Sequence, residues 1–170
     1  MTVPLIVLGL AFLPMAFEAR LAARHDRALR AAGAFEPSDD VYRWMQIAYP
    51  AAFLTMAIEA AIRRVEVNQV FTLGIVVFAL GKEIKYWAIA TLGSRWTFRV
   101  LVPPSSKSIT HGPYRYLRHP NYLGVIGELA GLALVARAPV SGTLSLVVFA
   151  TLLVLRIRVE ERALNDSSST

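Results

Sequence analysis

The chain has 170 residues, a length that suits one domain. Hydrophobic residues make up 55% of it and charged residues 18%, whereas soluble domains average about 45–50% and about 25%. This composition excludes a disordered chain and an ordinary soluble enzyme, and the lack of cysteine excludes a disulfide framework, a thiolate zinc site and a cysteine nucleophile. We therefore predict a single all-α membrane domain over residues 1–170.

Five apolar segments follow one another along the chain, and each predicts a transmembrane helix. Such a helix needs about 20 mostly apolar residues. The first segment has no lysine or arginine before it, so it lacks the charged start of a cleaved signal peptide. The last two segments are separated by a short turn and predict a C-terminal helical hairpin. The segments are Val3–Phe17, Val41–Ile62, Val70–Leu92, Tyr122–Val135 and Val140–Leu155.

Charged residues interrupt the third segment, and small residues mark the fourth. Because the third contains Lys82 and Lys85, we expect its second half to leave the hydrocarbon core and run along the membrane interface. The fourth has Gly124, Gly127 and Gly131 at helical spacing, and such small residues let two helices approach closely in lipid. We therefore expect the fourth helix to pack tightly against the third or the fifth.

The basic residues are distributed unequally between the loops. If the segments alternate in direction, one side of the membrane holds 15 of the 18 lysines and arginines, and the other holds only Arg63, Arg64 and Arg137. The positive-inside rule then predicts an N-terminus outside and a C-terminus in the cytoplasm.

The connection before the fourth helix, Lys107–Gly124, is the first candidate for a functional site. It contains two of the three histidines of the chain, together with several tyrosines and basic residues. Its last part, Arg118–Tyr122, lies at a predicted helix N-terminus, where free N–H groups and the helix dipole favour a carboxylate or phosphate. Tyrosine and arginine are also typical of membrane interfaces, so a purely anchoring role is the alternative.

A second candidate follows the fifth segment, where Arg156–Leu164 contains the adjacent carboxylates Glu160 and Glu161. Such residues could hold an ammonium group or ribose hydroxyls beside the membrane. The alternative is a solvated helix end with local ion pairs worth about 0.2–0.5 kcal/mol each. Glu128 is a further candidate, because a carboxylate inside an apolar segment marks either a functional site or a buried polar pair.

Other classes of site find little support in the sequence. Three histidines argue against a multi-histidine metal centre, and we predict no metal. The basic stretch Arg20–Arg30 lacks interleaved aromatic residues, so it indicates contact with anionic lipid rather than with nucleic acid.

The two candidate segments together resemble a known family. Residues 111–124 (HGPYRYLRHPNYLG) and 156–164 (RIRVEERAL) closely resemble the isoprenylcysteine carboxyl methyltransferase family. Phosphatidylethanolamine methyltransferases share this catalytic C-terminal half, which here spans about residues 82–164. The N-terminal part looks like the bacterial branch of the family, whose members include methyltransferases acting on long-chain polyketide phenols and pyrones.

The resemblance implies an S-adenosylmethionine-dependent methyltransferase in the inner or cell membrane of a bacterium, with a cofactor pocket on the cytosolic side. Its other partners would be membrane lipid and a lipophilic small molecule or prenylated substrate. The chain lacks the extra N-terminal helices of the eukaryotic enzymes, which argues against a prenylated CaaX protein. By position, the catalytic residues would be Arg156, Glu160 and His119. The cofactor-binding residues would be His111, Gly112, Tyr114, Arg118, His119, Pro120, Tyr122, Gly124, Glu160 and Glu161.

Two acceptor classes stay open, and they differ in the chemistry they need. A carboxylate acceptor needs no base and could be oriented by Arg156, whereas a phenol, with a pKa of about 10, would need one. His119 or Glu160 could serve as that base. The alternatives are an NADPH-dependent reductase related to sterol reductases, a phospholipid N-methyltransferase and a non-catalytic membrane subunit.

Overall fold

The computed structural model describes residues 2–103 and 109–168, with side chains described as far as Ala163. Lys107, which belongs to the first candidate segment, lies outside these ranges. Within them the chain is all-α apart from one isolated backbone bridge and short turns, which confirms the all-α part of the predicted fold class. The helices are α1 (Thr2–Ala31), α2 (Tyr42–Ile62), α3 (Gln69–Leu92), α4 (Pro120–Val135) and α5 (Pro139–Ser168).

Local sequence signals explain where several helices begin and end. The Asn68 side chain accepts a hydrogen bond from the backbone N–H of Phe71 at 3.1 Å, which caps the start of α3. Gly93 ends α3 with a φ of 55°, a conformation that glycine adopts without strain. Pro120 and Pro139 are the first residues of α4 and α5, where the missing N–H of proline leaves no helical hydrogen bond unmade.

The first and last helices are longer than the apolar segments that predicted them. Each has 30 residues, which corresponds to about 45 Å at 1.5 Å per residue. The basic stretch Arg20–Arg30 continues α1, and the carboxylate-containing segment that begins at Arg156 continues α5. Both helices therefore combine an apolar N-terminal part with a charged C-terminal part.

The closest helix pair is α3 with α4, and glycines allow the approach. A Cβ added at Gly131 would lie 2.4 Å from the backbone nitrogen of Phe78, and one added at Gly81 would lie 2.8 Å from the backbone nitrogen of Glu128. Neither distance leaves room for a side chain. The predicted tight packing of the fourth helix is thus confirmed, with α3 as its partner.

The second half of α3, for which an interfacial position is expected, contains two lysines that are enclosed by neighbouring helices. Lys82 and Lys85 are 9% and 2% exposed, and both are enclosed between α1 and α4. Opposite charges on those two helices compensate them, so the lysines need no access to water. Glu83, on the outer face of α3, is exposed.

The outer surface of the bundle is strongly apolar. In the described part of the chain, α1, α2 and α5 are long and apolar enough to cross a membrane, whereas α4, with 16 residues, is shorter. Only 22–28% of the residues in the most apolar stretches of those three helices are buried within the protein. Exposed side chains such as Leu13, Ile62 and Leu144 suit contact with lipid rather than with water.

Different loops and helix ends make contact at the two ends of the bundle. At one end, called here the turn end, the Glu59 carboxylate accepts hydrogen bonds from the backbone N–H and the hydroxyl of Ser141 at 2.8 and 2.6 Å. At the other, called the site end, the α1–α2 loop pairs with the segment after α3 through a bridge between Phe35 and Val102. That segment, residues 96–103, is called the strap.

Candidate functional site

Tyr122 joins the two segments that the sequence singled out. Its hydroxyl donates a hydrogen bond to Oε2 of Glu160 at 2.7 Å and accepts one from Nε of Arg156 at 3.0 Å. Tyr122 lies in the first turn of α4, and its two partners lie one helical turn apart near the end of α5. The helical hairpin thus brings a phenol, a guanidinium and a carboxylate together at the site end.

Asp40 completes this group from the α1–α2 loop. Its Oδ1 lies 3.2 Å from Nη1 of Arg156, and the two side chains are only 3% and 5% exposed. Backbone N–H groups of Tyr42 and Val100 donate hydrogen bonds to the same carboxylate at 3.1 and 2.9 Å. The sequence analysis missed Asp40, although an aspartate just before an apolar helix is a recognisable N-terminal signal.

The predicted base His119 lies beside Tyr122. The two rings stack with their centroids 5.4 Å apart and an angle of 17° between their planes. Nε2 of His119 lies 3.7 Å from Oε1 of Glu161, and Nη1 of Arg118 lies at the same distance from that oxygen. The Arg118 side chain is 89% exposed and that of Glu161 is 48% exposed, so this edge of the site faces outward.

Tyr114, in the connection before α4, lies close enough to Glu160 to be affected by its charge. Burial and the negative charge of Glu160 together raise the pKa of Tyr114 well above its usual value, so the phenol stays protonated at neutral pH. Gly112 has a φ of 59°, and a Cβ there would lie 2.5 Å from the hydroxyl oxygen of Thr91. The glycine is therefore needed by the turn that docks this connection onto α3, whatever else it binds.

The other predicted residues are placed less centrally. His111 is exposed at the start of the same turn, and Pro120 is buried as the first residue of α4. A Cβ on Gly124 would lie 2.8 Å from the backbone oxygen of Gly81, so Gly124 contributes to the contact between α3 and α4. Cofactor contacts at these positions stay predictions.

Neither of the two most clearly formed cavities among the described residues coincides with the predicted cofactor pocket. The larger, about 380 Å³, is an open groove at the turn end between α2 and α5, lined by residues that include Ile62 and Val140. The smaller, about 140 Å³, lies beside the site between the α1–α2 loop and α5, where Asp39 and Arg162 line it. A pocket lined by the predicted cofactor-binding residues stays a prediction.

A second polar cluster lies deeper in the bundle. Nζ of Lys82 lies 2.8 Å from Glu18 and 3.0 Å from Glu128, and Nζ of Lys85 lies 2.6 and 3.2 Å from the same two carboxylates. The Tyr49 hydroxyl donates a hydrogen bond of 2.5 Å to Glu128. Two positive and two negative charges therefore join α1, α3 and α4, and the Tyr49 hydroxyl adds α2. The sequence indicated only Glu128 as a candidate for such a site.

The comparisons with known proteins cover the part of the chain that contains both candidate segments. The sequence model of the isoprenylcysteine carboxyl methyltransferase family matches residues 72–166, which is more than half of the chain and includes both candidate segments. The uncharacterized protein YpbQ of Bacillus subtilis is 29% identical over 96% of this chain and 97% of its own length. An uncharacterized protein of Haemophilus influenzae is 28% identical over 85% of each chain.

A plant relative has a more informative name. Protein-S-isoprenylcysteine O-methyltransferase A of Arabidopsis thaliana is 32% identical over 55% of this chain and 48% of the plant protein. This chain thus aligns with about half the length of that relative. No solved structure matches the chain significantly.

Proposed function

Because the chain belongs to the isoprenylcysteine carboxyl methyltransferase family, we propose that it is an S-adenosylmethionine-dependent membrane enzyme that methylates a lipophilic acceptor. The observation that carries this proposal is the hydroxyl of Tyr122, which links Arg156 to Glu160 and thereby joins the two family motifs at one point. A non-catalytic membrane subunit would not require charged groups to converge in this way.

The donor set at the site end suits the cofactor. S-adenosylmethionine has an ammonium group, a carboxylate, a sulfonium and a ribose diol, so it needs protein groups of both signs. Glu161 offers a carboxylate, and Arg118 and His119 offer nitrogens within 3.7 Å of it. We propose that Glu161 holds the ammonium group or the ribose hydroxyls and that Arg118 holds the carboxylate of the cofactor.

The residues of the chain then have to position the acceptor. When bound, S-adenosylmethionine supplies a methyl group already activated on sulfur. Alignment of reacting groups can contribute about 7–11 kcal/mol to catalysis. Arg156, fixed on two sides by Tyr122 and Asp40, is suited to orient the acceptor oxygen, and the stacked ring of His119 limits where that oxygen can lie.

The acceptor is a lipophilic molecule that is methylated on an oxygen atom. It is either an isoprenylcysteine-like carboxylate or the hydroxyl of a long-chain phenol or pyrone. The name of the Arabidopsis thaliana relative favours the first. For the second, Glu160 or His119 accepts the proton of the hydroxyl. A rate controlled by one group titrating near neutrality favours the hydroxyl acceptor, whereas a carboxylate acceptor requires no such group.

We further propose a five-span arrangement with the site end in the cytoplasm and the N-terminus outside. The excess of basic residues at the site end supports this orientation. A water-soluble cofactor then enters from the cytosol, and the lipophilic acceptor enters sideways from the bilayer. Residues 82–164 contribute the catalytic part of the single domain.

Calorimetry with the detergent-purified protein tests the cofactor assignment. We expect S-adenosylhomocysteine, the demethylated product, to bind and NADPH not to bind. Glu161→Ala should weaken this binding by about tenfold, the loss of one charge-assisted contact. The matched control is Glu66→Ala, which removes an exposed carboxylate at the turn end and should leave the affinity unchanged.

The alternatives predict other results. Binding of NADPH without S-adenosylhomocysteine would assign the protein to the reductases. Binding of neither ligand to folded protein would support a non-catalytic subunit. Methylation of phosphatidylethanolamine in preference to an oxygen acceptor would indicate a phospholipid N-methyltransferase.

A further inference from the structure

Asp40 belongs to the part of the chain that the family model does not match, yet it contacts the central arginine of the site. The family match begins at residue 72, whereas Asp40 lies between α1 and α2. Its carboxylate is 3% exposed and lies 3.2 Å from Nη1 of Arg156. No other carboxylate among the described residues is paired directly with Arg156; Glu160 reaches it only through the Tyr122 hydroxyl.

The Asp40 carboxylate is fixed independently of Arg156. The N–H of Tyr42 at the start of α2 and the N–H of Val100 in the strap each donate a hydrogen bond to it. These two donors come from different segments of the chain, so the carboxylate is held between the loop and the strap. The carboxylate is therefore held in place without Arg156 and offers the guanidinium a fixed partner.

The charge of Asp40 also determines which partner Arg156 takes. A buried guanidinium needs a compensating anion, because an unpaired charge in a low-dielectric interior is strongly unfavourable. Without the charge of Asp40, the next anion is Glu160, on the far side of the Tyr122 hydroxyl. The guanidinium would then turn toward Glu160 and displace the hydroxyl that now lies between them.

We propose that Asp40 is a positioning residue for methyl transfer: it holds the guanidinium of Arg156 toward the Tyr122 hydroxyl and away from direct pairing with Glu160. Asp40 acts only through Arg156 and contacts neither the cofactor nor the acceptor. The proposal rests on the proposed function, because it assigns Arg156 to the acceptor. It also makes the N-terminal half of the chain part of the catalytic unit.

The test compares Asp40→Asn with Asp39→Asn. Asp39 is the matched control, since it is the neighbouring aspartate and is also paired with an arginine of α5, Arg162, but that pair is exposed. Methyl transfer is measured with two probe acceptors, N-acetyl-S-farnesylcysteine and pentadecylresorcinol. The rate is divided by the concentration of protein that binds S-adenosylhomocysteine, so that unfolded protein does not lower the measured kcat.

Asp40→Asn should lower kcat by about 10- to 100-fold, the effect expected of a misplaced catalytic group. The Kd for S-adenosylhomocysteine should change by less than about threefold, because no cofactor contact is removed. Asp39→Asn should keep the wild-type kcat. In an Arg156→Gln background, Asp40→Asn should cause no further loss of kcat, which a general structural role would not produce.

A second variant keeps the test decisive if Asp40→Asn does not fold. Asp40→Glu retains the charge but moves the carboxylate, so it should bind S-adenosylhomocysteine and still lose kcat. A wild-type kcat in Asp40→Asn or Asp40→Glu would overturn this inference but not the proposed function. Losses of kcat and of cofactor affinity of equal size would do the same. A wild-type protein that methylates neither probe would overturn the acceptor assignment of the proposed function and this inference with it.

Discussion

The carboxylate of Glu128 is buried in the middle of α4, where an isolated charge would be very unfavourable. It is only 2% exposed and is held by Lys82, Lys85 and the hydroxyl of Tyr49. Glu18 completes the group, so the charges balance within the protein. Of the two readings that the sequence allowed for Glu128, the structure gives the buried polar group, and it places that group between four helices.

Removing this carboxylate should destabilise the fold strongly. Glu128→Gln leaves two buried lysines facing one glutamate, and breaking a buried ion pair costs about 3–5 kcal/mol. The measurement is the free energy of unfolding in detergent, obtained by denaturant titration. Glu83→Gln is the control, since Glu83 is an exposed carboxylate on α3 and its loss should change stability by less than about 0.5 kcal/mol. Equal stabilities of the two variants would contradict a structural role for the cluster.

At the scale of the elements, the contact between α3 and α4 depends on the absence of side chains. Gly131→Ala places a Cβ 2.4 Å from the backbone nitrogen of Phe78, so the helices must separate. Overpacking of this kind costs about 1–3 kcal/mol. We expect the midpoint of thermal unfolding in detergent to fall.

Gly9→Ala in α1 is the matched control, because nothing lies within 4 Å of its added Cβ. It should leave stability unchanged or raise it by up to about 1 kcal/mol, since alanine favours helix. A Gly131→Ala variant as stable as Gly9→Ala would show that α3 and α4 do not pack as closely as described.

The docking of the strap onto the α1–α2 loop should depend on pH. Burial by itself raises the pKa of Glu36. Hydrogen bonds from Arg30 and Arg99 lower it by more, so the pKa of Glu36 lies below its ordinary value. A carboxyl group with a lowered pKa in the folded state stabilises that state at pH values above its unfolded pKa. This contribution disappears as the pH falls through the folded pKa.

Glu36→Gln should therefore lower the thermal stability at neutral pH, and the difference from the wild type should shrink as the pH falls through the folded-state pKa of Glu36. The measurement is the unfolding midpoint of both proteins across this range. Glu66→Gln, an exposed change at the turn end, should give a constant small difference. If the difference in unfolding midpoint between Glu36→Gln and the wild type grew at low pH, this explanation would be contradicted.

For the molecule as a whole, the sequence predicted the helices better than the tertiary contacts between their side chains. Apolar runs, glycine spacing and the prolines at helix starts indicated the bundle, its C-terminal hairpin and the tight packing of α4. That hairpin brings the two candidate segments together, and Tyr122 and Glu160 make their contact there. The role of Asp40 could not be predicted, because its contact with Arg156 joins residues 116 positions apart and depends on how the α1–α2 loop folds over α5.

The same limit applies to the ion-pair partners of Lys82 and Lys85. A lysine in an apolar segment predicts a helix leaving the membrane unless its counter-ion is known. Here the counter-ions are Glu18 and Glu128 on two other helices. Local patterns therefore predict elements, whereas the compensation of buried charges depends on tertiary contacts.

The proposed orientation can be tested with single cysteines, because the chain has none of its own. Arg64→Cys lies at the turn end, and Tyr116→Cys lies at the site end in an exposed position. A membrane-impermeant maleimide added to intact cells should label the first variant and should label the second only after the membrane is opened. The reverse pattern would mean that the site faces outward, and labelling of both in intact cells would contradict the five-span arrangement.

The central claim is that the hydroxyl of Tyr122 organises a methyl-transfer site, and the most direct measurement is transfer of radiolabelled methyl from S-adenosylmethionine to the two probe acceptors. The wild-type protein in membrane vesicles should methylate at least one of them. Tyr122→Phe should lower the rate by about 10- to 100-fold, because it removes hydrogen bonds to charged groups worth about 1.5–3 kcal/mol. Tyr116→Phe, which changes an exposed tyrosine, should retain full activity. No transfer by the wild type, or equal rates for the two variants, would contradict the account.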